Sequence, residues 1–235
     1  MSGRNGSGAL GILLLENAPL RLPRAMGSPE TFACPTLYRT VPGAWVDNVV
    51  HGDEKVLEAY IDAARALERA GAAAITTNCG FTVLYQAGVS ASVSVPVATS
   101  SLLLLPLMAR LAPPGRAIGV LTYDGRRLRP RHFEAAGLGG QDVPIVTAGI
   151  EGTESWAELA KPEPRVTVEA LARDVSSAVH KLLGAHPEVA ALLLECAAFC
   201  PLTPRIRAEV RRPVLDFITL ADVLVGSVAA GRPAG

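Results

Sequence analysis

The chain has little aromatic content and no excess of either charge. Only 5% of its 235 residues are Phe, Tyr or Trp, and 22 Lys and Arg residues balance 22 Asp and Glu residues. Proteins that bind single-stranded nucleic acid combine stacking aromatics with a basic groove. Anionic membranes likewise attract clusters of positive charge. The sequence therefore disfavours nucleic acid and membrane as partners and favours a small-molecule substrate.

Long apolar runs and paired cysteines are also lacking. Residues 9–15 are ended by Glu16, and residues 101–111 are interrupted by Pro106, so neither run reaches the about 20 residues that a membrane-spanning helix needs. The four cysteines have no CxxC spacing, and a chain of this length does not need disulfides to fold. We expect a buried strand, a core helix and a reducing, cytoplasmic location.

Short apolar runs alternate along the chain with segments of helical periodicity. The runs are rich in Val, Ile, Leu and Ala, and most are apolar throughout, which suits parallel strands covered on both faces. The predicted strands are residues 10–15, 73–76, 95–98, 117–121, 143–147, 189–194 and 214–217. This alternation predicts an α/β fold.

Two helices are predicted between these strands. Residues 53–70 and 167–183 each begin at a capping side chain, carry an apolar stripe and end before a glycine, Gly71 or Gly184. Residues 17–52 lack such periodicity and contain prolines, glycines and scattered aromatics. They predict a long ordered loop, and such loops often cover a site.

The two halves of the sequence echo each other. Ala73-Ala74-Ile75 precedes Cys79 at the same distance as Ala190-Ala191-Leu192 precedes Cys196. Each segment follows a predicted helix and its glycine, and a Phe closely follows each cysteine. The match predicts two related half-molecules.

Polar side chains follow the predicted strands where they end. In open parallel sheets, ligands bind beyond these carboxyl ends. The polar residues there are Glu16, Asn17, Thr77, Asn78, Cys79, Thr99, Ser100, Thr122, Tyr123, Glu195 and Cys196. The predicted site thus contains two thiols, while Cys34 and Cys200 are expected to be buried structural residues.

A thiol at a strand-to-helix turn lies near unpaired backbone N–H groups and the positive end of a helix dipole, so we expect lowered pKa values for Cys79 and Cys196. A thiolate and a thiol on opposite sides of a carbon can remove a proton from one face and deliver one to the other. The candidates that stabilise the developing enolate are Gly80 and Phe81, through their backbone N–H groups, and the predicted site's hydroxyls at Thr99, Ser100 and Thr122. A redox disulfide is a weaker alternative, and the four histidines lack the spacing of metal ligands.

At Thr77-Asn78-Cys79-Gly80 and Leu194-Glu195-Cys196-Ala197 the sequence resembles the aspartate/glutamate/hydantoin racemase superfamily, and the resemblance extends through residues 95–100 and 118–122. It implies two flavodoxin-like lobes with parallel sheets, related by pseudo-twofold symmetry. It also implies an active site in the cleft, one catalytic cysteine from each lobe, and no cofactor. By this analogy residues 1–102 with 206–235 form the first lobe, and residues 103–205 form the second.

The flanking residues depart from the best-known branches of that superfamily. Glutamate and aspartate racemases typically follow the first cysteine with Asn-Thr, where this chain has Gly80-Phe81. They follow the second cysteine with Thr and then His or Glu, where this chain has Ala197-Ala198. Glu16-Asn17 likewise replaces their opening Asp-Ser. These changes favour a substrate more apolar than glutamate, and Glu195 either supplies the missing polar function or is a simple strand-end carboxylate.

The expected function is a cofactor-independent racemase or epimerase of an amino acid or related small acid, with a homodimer as one compatible assembly. The resemblance also allows a decarboxylase, a maleate-type cis-trans isomerase, or a specialised biosynthetic cyclase or epimerase. A non-catalytic small-molecule binding protein of the same fold is a further alternative.

Overall fold

The computed structural model of the chain describes residues 8–139 and 143–228. Within these residues, two separate four-stranded parallel sheets are flanked by helices. The strands are β1 (Ala9–Leu14), β2 (Thr36–Thr40), β3 (Ala72–Thr77), β4 (Val97–Ala98), β5 (Ala117–Thr122), β6 (Ile145–Gly149), β7 (Val189–Leu194) and β8 (Val214–Leu215). The strand order is β2-β1-β3-β4 in the first sheet and β6-β5-β7-β8 in the second. The predicted α/β fold with two lobes is confirmed.

Helices connect the strands in both lobes. The α-helices are α1 (Val46–His51), α2 (Leu57–Arg69), α3 (Gln86–Ser90), α4 (Leu105–Leu111), α5 (Pro130–Ala135), α6 (Glu154–Leu159), α7 (Val168–Ala185), α8 (Thr203–Val210) and α9 (Phe217–Val228). Short 3-10 helices occupy Pro29–Thr31, Glu54–Val56, Gly80–Tyr85, Ser101–Leu104 and Ala197–Leu202. Strands β2 and β4 lie at the edges of the first sheet, and β6 and β8 lie at the edges of the second. The apolar core lies between the sheets and these helices.

The two sheets repeat each other in detail. Between β1 and β3 the pairing skips one residue, because Ala9 pairs with Ala72 while Leu10 pairs with Ala74. Between β5 and β7 the pairing skips one residue at the equivalent place, where Ala117 pairs with Val189 and the next pair is Ile118 with Ala191. The internal repeat predicted from the sequence is therefore present in the backbone pairing.

Strand β2 lies inside residues 17–52, which we predicted to be a loop. It pairs with β1 alone, and its residues are half-buried or exposed. An edge strand needs little apolar content because one side of it faces solvent. The sequence signal of a buried strand is therefore absent there.

The chain returns to the first lobe after β8, which is later than the predicted boundary at residue 206. Val214 pairs with Leu192, so β8 completes the second sheet in the position that β4 occupies in the first. The expected boundary at residue 206 assigns this strand to the first lobe. Among the described residues after β8, helix α9 packs against β3 and β4 of the first sheet.

The predicted helix caps are present, with one difference. Asp53 accepts a hydrogen bond from the Lys55 N–H at 3.0 Å, and Gly71 ends the first helical segment at φ 93°. Thr167 caps α7 by accepting from the Ala170 N–H at 3.2 Å. Gly184, however, lies inside the last turn of α7, which continues to Ala185.

The apolar residues 101–111 form the 3-10 helix Ser101–Leu104 and then α4. Leu102, Leu105 and Met108 are buried on one side of this segment, while Leu107 and Leu111 are exposed. Among the described residues, no helix is both long and apolar enough to cross a membrane.

Gly119 provides a test of the packing between β5 and its helix. A Cβ at this position would lie 2.6 Å from Leu192 Cδ2 and 3.0 Å from Leu182 Cδ2, both in the core. We predict that Gly119→Ala lowers the free energy of unfolding by about 1–3 kcal/mol, the cost typical of overpacking. Urea denaturation followed by circular dichroism measures the change.

The control is Gly184→Ala, because a Cβ there meets nothing within 4 Å and the residue is helical. Alanine should raise the stability at this position by up to about 1 kcal/mol. Equal effects of the two substitutions would contradict this description of the core.

Candidate active site

One cavity lies between the lobes, beyond the carboxyl ends of their central strands. It encloses about 730 Å³, its open mouth included, and both Cys79 and Cys196 line it. Its other polar lining residues are Asn17, Asn78, Tyr123 and Glu195, and the rest of the wall is largely apolar. A concave, mainly apolar wall that carries a few polar groups is typical of a small-molecule site.

Equivalent backbone pairings place the two cysteines at this cavity. The Asn78 N–H donates to the Leu13 carbonyl at 3.1 Å, which extends the pairing of β1 and β3 to the residue before Cys79. The Glu195 N–H donates to the Leu121 carbonyl at 2.7 Å and does the same before Cys196. Each cysteine then has extended backbone angles and precedes a 3-10 helix.

The side chains of Asn78 and Glu195 also make equivalent bonds. Asn78 Oδ1 accepts from the Leu15 N–H at 2.9 Å, just past the end of β1. Glu195 accepts from the backbone N–H of Tyr123, just past the end of β5. Each side chain thereby holds the segment that follows β1 or β5 against the turn that contains the cysteine of the same lobe.

Burial raises the pKa of both thiols. The pKa of Cys79 rises to about 12, first because of burial and then because of the negative charge of Glu195, while the backbone N–H groups of Phe81 and Thr82 partly oppose the rise. The pKa of Cys196 is raised well above its ordinary value by the same two causes, against the N–H of Ala198. The expectation of lowered thiol pKa values is therefore wrong, because desolvation outweighs the few backbone dipoles at each turn.

Glu195 is fully buried beside both thiols. Its Oε2 accepts from the Thr122 hydroxyl at 2.7 Å, whereas its Oε1 is buried with no hydrogen-bond partner. Burial raises the pKa of this carboxyl to about 7, although the bonds from Thr122 and Tyr123 oppose the rise.

The glycine after Cys79 makes room for this carboxylate. A Cβ at Gly80 would overlap Glu195 Oε1 and the Glu195 backbone carbonyl. Glutamate and aspartate racemases typically have Asn where this chain has Gly80, and here the space beside Gly80 is occupied by the acidic side chain of Glu195 from the other lobe. Sequence reasoning identified both residues separately but could not identify their contact.

Of the predicted site residues, Asn17, Asn78, Gly80, Phe81, Tyr123, Glu195 and Ala197 line the cavity together with the two cysteines. The hydroxyls proposed as substrate donors lie elsewhere. Thr99 donates to Gln86 Oε1 at 2.9 Å, and Ser100 accepts from the Leu102 N–H at 3.1 Å. Thr122 acts on Glu195 instead of lining the cavity itself.

Two further predicted residues also lie behind the wall. The Thr77 hydroxyl donates to the Thr99 carbonyl at 2.6 Å and so supports the Cys79 turn. Glu16 is half-buried, and its carboxylate accepts from the Gly43 N–H at 2.5 Å, outside the cavity. These residues maintain the backbone that presents the lining groups.

The cavity's cover was only partly predicted. Residues of the loop after β1 line it, as the long segment 17–52 suggests, but so do Leu159 and Pro164 from the other lobe. Asn17 joins the two sides, because its Nδ2 donates to the Lys161 carbonyl at 2.9 Å and its Oδ1 accepts from the Val46 N–H at 2.8 Å. Apolar loop residues carry no chemical signal in a sequence, and this explains why sequence reasoning missed them.

Tyr123 is held by a stack of side chains in the second lobe. Its hydroxyl donates to the Trp156 carbonyl at 3.0 Å, and its ring stacks on Trp156 with 5.9 Å between centroids. The Arg126 guanidinium lies 5.6 Å from the Trp156 ring centroid and pairs with Asp124 at 2.7 Å. The Tyr123 ring is therefore a fixed part of the wall.

The raised pKa of Glu195 makes stability depend on pH. Between its ordinary pKa of 4.5 and its folded value of about 7, the folded chain holds a proton that the unfolded chain has lost. The free energy of unfolding therefore falls as pH rises through this range. We predict that wild type loses about 2–3 kcal/mol relative to Glu195→Gln between pH 5 and pH 8, at about 1.4 kcal/mol per pKa unit. Urea denaturation of both proteins at several pH values tests this, and parallel pH profiles would contradict it.

Solved structures of known proteins share this fold. Unliganded arylmalonate decarboxylase is 18% identical with a TM-score of 0.57, over 96% of this chain and 96% of that one. Allantoin racemase from Pseudomonas fluorescens is 18% identical with a TM-score of 0.61, over 96% and 98%. Picrophilus torridus aspartate racemase is 15% identical with a TM-score of 0.53, over 94% of each chain.

Sequence relatives are more similar. A dimethylsulfoniopropionate lyase of Durusdinium sp. clade D is 30% identical over 224 residues, which cover 92% of this chain and 74% of that protein. Dimethylsulfoniopropionate lyase 3 of Emiliania huxleyi (strain CCMP1516) is 30% identical over 232 residues, 94% of this chain and 60% of that protein. No protein-family model matches the chain.

The architecture of the two lobes and the similarity along nearly the whole chain agree with the two cysteine motifs read from the sequence. The chain belongs to the same family as the Durusdinium dimethylsulfoniopropionate lyase, and it shares the fold of the decarboxylase and racemase structures.

Proposed function

We propose that this chain is a lyase that cleaves dimethylsulfoniopropionate, or a closely similar propionate with a leaving group on its β carbon. The observation that carries the proposal is the pair of thiols, one from each lobe, that line one cavity in a relative of dimethylsulfoniopropionate lyases. No cofactor is needed for the steps below.

The reaction begins with the proton on the carbon next to the carboxylate. A cysteine thiolate removes this proton, and the electrons of the broken C–H bond form a double bond between the α and β carbons. The bond from the β carbon to sulfur breaks, and dimethyl sulfide leaves with that electron pair. The products are dimethyl sulfide, acrylate and the proton taken by the enzyme. Such a carbon acid is weak, so water must be excluded and donors aimed at the carboxylate.

The lining of the cavity suits a substrate with a positive charge. Among the described residues that line it, Glu195 supplies one carboxyl group and there is no Lys, Arg or His. Tyr123 lines the cavity, and an aromatic ring attracts cations that carry methyl groups. Asn78 is the side-chain amide beside Cys79 that can meet the substrate's carboxylate.

A second candidate is racemisation or epimerisation of an amino acid or related acid. The observation that favours it is that Cys79 and Cys196 occupy equivalent positions in opposite lobes. Proton removal by one thiol and delivery by the other inverts the carbon between them. Both candidates share the first step and differ in whether a leaving group departs.

The substrate test uses purified protein in deuterated water with dimethylsulfoniopropionate. We expect dimethyl sulfide by gas chromatography and acrylate by NMR, in equal amounts. Cys79→Ser and Cys196→Ser should each reduce kcat/KM by about 10²–10⁴-fold, because the positioned acid–base group is lost. The matched control is Cys200→Ala, since Cys200 is buried four residues after Cys196 and does not line the cavity.

A parallel panel of amino acids, hydantoins and 2-substituted malonates separates the alternatives. Stereoinversion with uptake of deuterium at the α carbon, without cleavage of dimethylsulfoniopropionate, would show that the chain is a racemase and not a lyase. Loss of carbon dioxide from a malonate would replace it by a decarboxylase. If no compound reacts, the proposal of catalysis fails.

A further inference from the structure

Glu195 has one carboxylate oxygen more than its structural contacts need. In the first lobe, Asn78 occupies the equivalent position and bonds the equivalent N–H group with a neutral amide oxygen. In the second lobe, Glu195 Oε2 accepts from the Thr122 hydroxyl at 2.7 Å. One acceptor oxygen is thus sufficient for the structural contact, and an amide can supply it.

The second oxygen has no such structural task. Glu195 Oε1 is buried without a hydrogen-bond partner, and it lies against Gly80, the residue after Cys79. Because Glu195 itself precedes Cys196, this oxygen lies between the two cysteine turns. A buried carboxylate oxygen without a donor is costly, and such atoms in native proteins call for a functional explanation.

The thiols and this carboxyl share one electrostatic environment. The charge of Glu195 raises the pKa of both Cys79 and Cys196. At neutral pH a thiol with a pKa of about 12 is ionised to only about one part in 10⁵, whereas a carboxyl with a pKa of about 7 is half ionised. The cavity's negative charge therefore resides on Glu195, and neither thiol is a ready base by itself.

We infer that Glu195 is the proton acceptor for the cavity's thiols: a cysteine whose Sγ–H turns toward Oε1, which accepts no hydrogen bond in this structure, passes its proton to that oxygen as the sulfur removes the substrate's α proton. This inference rests on the proposed function, since it assigns the group that makes the thiol a base in that reaction.

The protons and electrons balance over one turnover. The resting pair is a thiol and a carboxylate. The S–H proton moves to Oε1, and the sulfur takes the α proton while the C–H electrons form the double bond and the sulfide leaves. The pair ends as a thiol and a carboxylic acid, which loses its proton to water when the products depart. One proton is released for each substrate cleaved, as the elimination demands.

The test compares wild type with Glu195→Gln, which keeps an acceptor oxygen for Tyr123 and Thr122. With dimethylsulfoniopropionate, wild-type kcat/KM should rise with pH to a half-maximum near pH 7, where the carboxyl ionises. Glu195→Gln should lose this rise and fall by about 10²–10⁴-fold. The control is Glu188→Gln, an exchange near the other end of β7, and it should retain the wild-type profile.

A second readout needs no substrate. Iodoacetamide alkylation of Cys79 and Cys196, followed by peptide mass spectrometry, reports each thiolate fraction. In wild type the logarithm of the rate should flatten near pH 7, because the carboxylate that forms there raises both thiol pKa values. Glu195→Gln should alkylate faster than wild type above pH 7 and show a straight dependence on pH.

Faster alkylation confined to pH values above 7, together with slower catalysis, supports the inference, because a loosened site would expose the thiols and raise the alkylation rate below pH 7 as well. Circular dichroism melting checks that the variant is folded. Unchanged or higher kcat/KM in Glu195→Gln overturns the inference, and so does a wild-type alkylation profile without the bend. If wild type cleaves nothing, the proposed function fails by itself, and the alkylation profile still decides whether Glu195 and the thiols share a proton equilibrium.

Discussion

The structure of the site depends on one constraint, the continuation of strand pairing to the residue before each cysteine. Asn78 pairs with Leu13 and Glu195 pairs with Leu121, so both thiols emerge at the same depth beyond their sheets. Because the two sheets have the same order and the same skipped residue, the two turns are presented to each other by equivalent backbones. The shared cavity follows from this repetition, and one cysteine turn alone would form only half of it.

Within that repeated frame, the two turns differ in charge. Asn78 meets its structural requirement with a neutral amide, and Glu195 meets the same requirement with a carboxyl group. Gly80 leaves the space into which the extra oxygen reaches. Burial then raises the pKa of all the ionisable groups at the centre, so protonation there is set by their interaction with one another. A symmetric scaffold thereby holds an asymmetric set of acid–base groups.

The sequence predicted the elements whose signal is local. Apolar runs identified the buried strands, and the echo around Cys79 and Cys196 identified the strand ends that form the site. It missed β2 because an exposed edge strand has no apolar signal, and it misassigned β8 because an apolar run does not specify its partner strand. It also predicted the wrong direction for the thiol pKa values, since burial depends on loops contributed by distant parts of the chain. The contact of Glu195 with Gly80 is equally non-local.

Catalysis by two thiols requires that both sulfurs face one cavity closely enough to act on one carbon. Treatment of the native protein with a short reagent that carries two thiol-reactive carbons, followed by digestion and mass spectrometry, tests this most directly. We expect one linker per chain that joins the peptides of Cys79 and Cys196, and no such bridge after denaturation. Two separate single adducts on these cysteines in the native protein would contradict it.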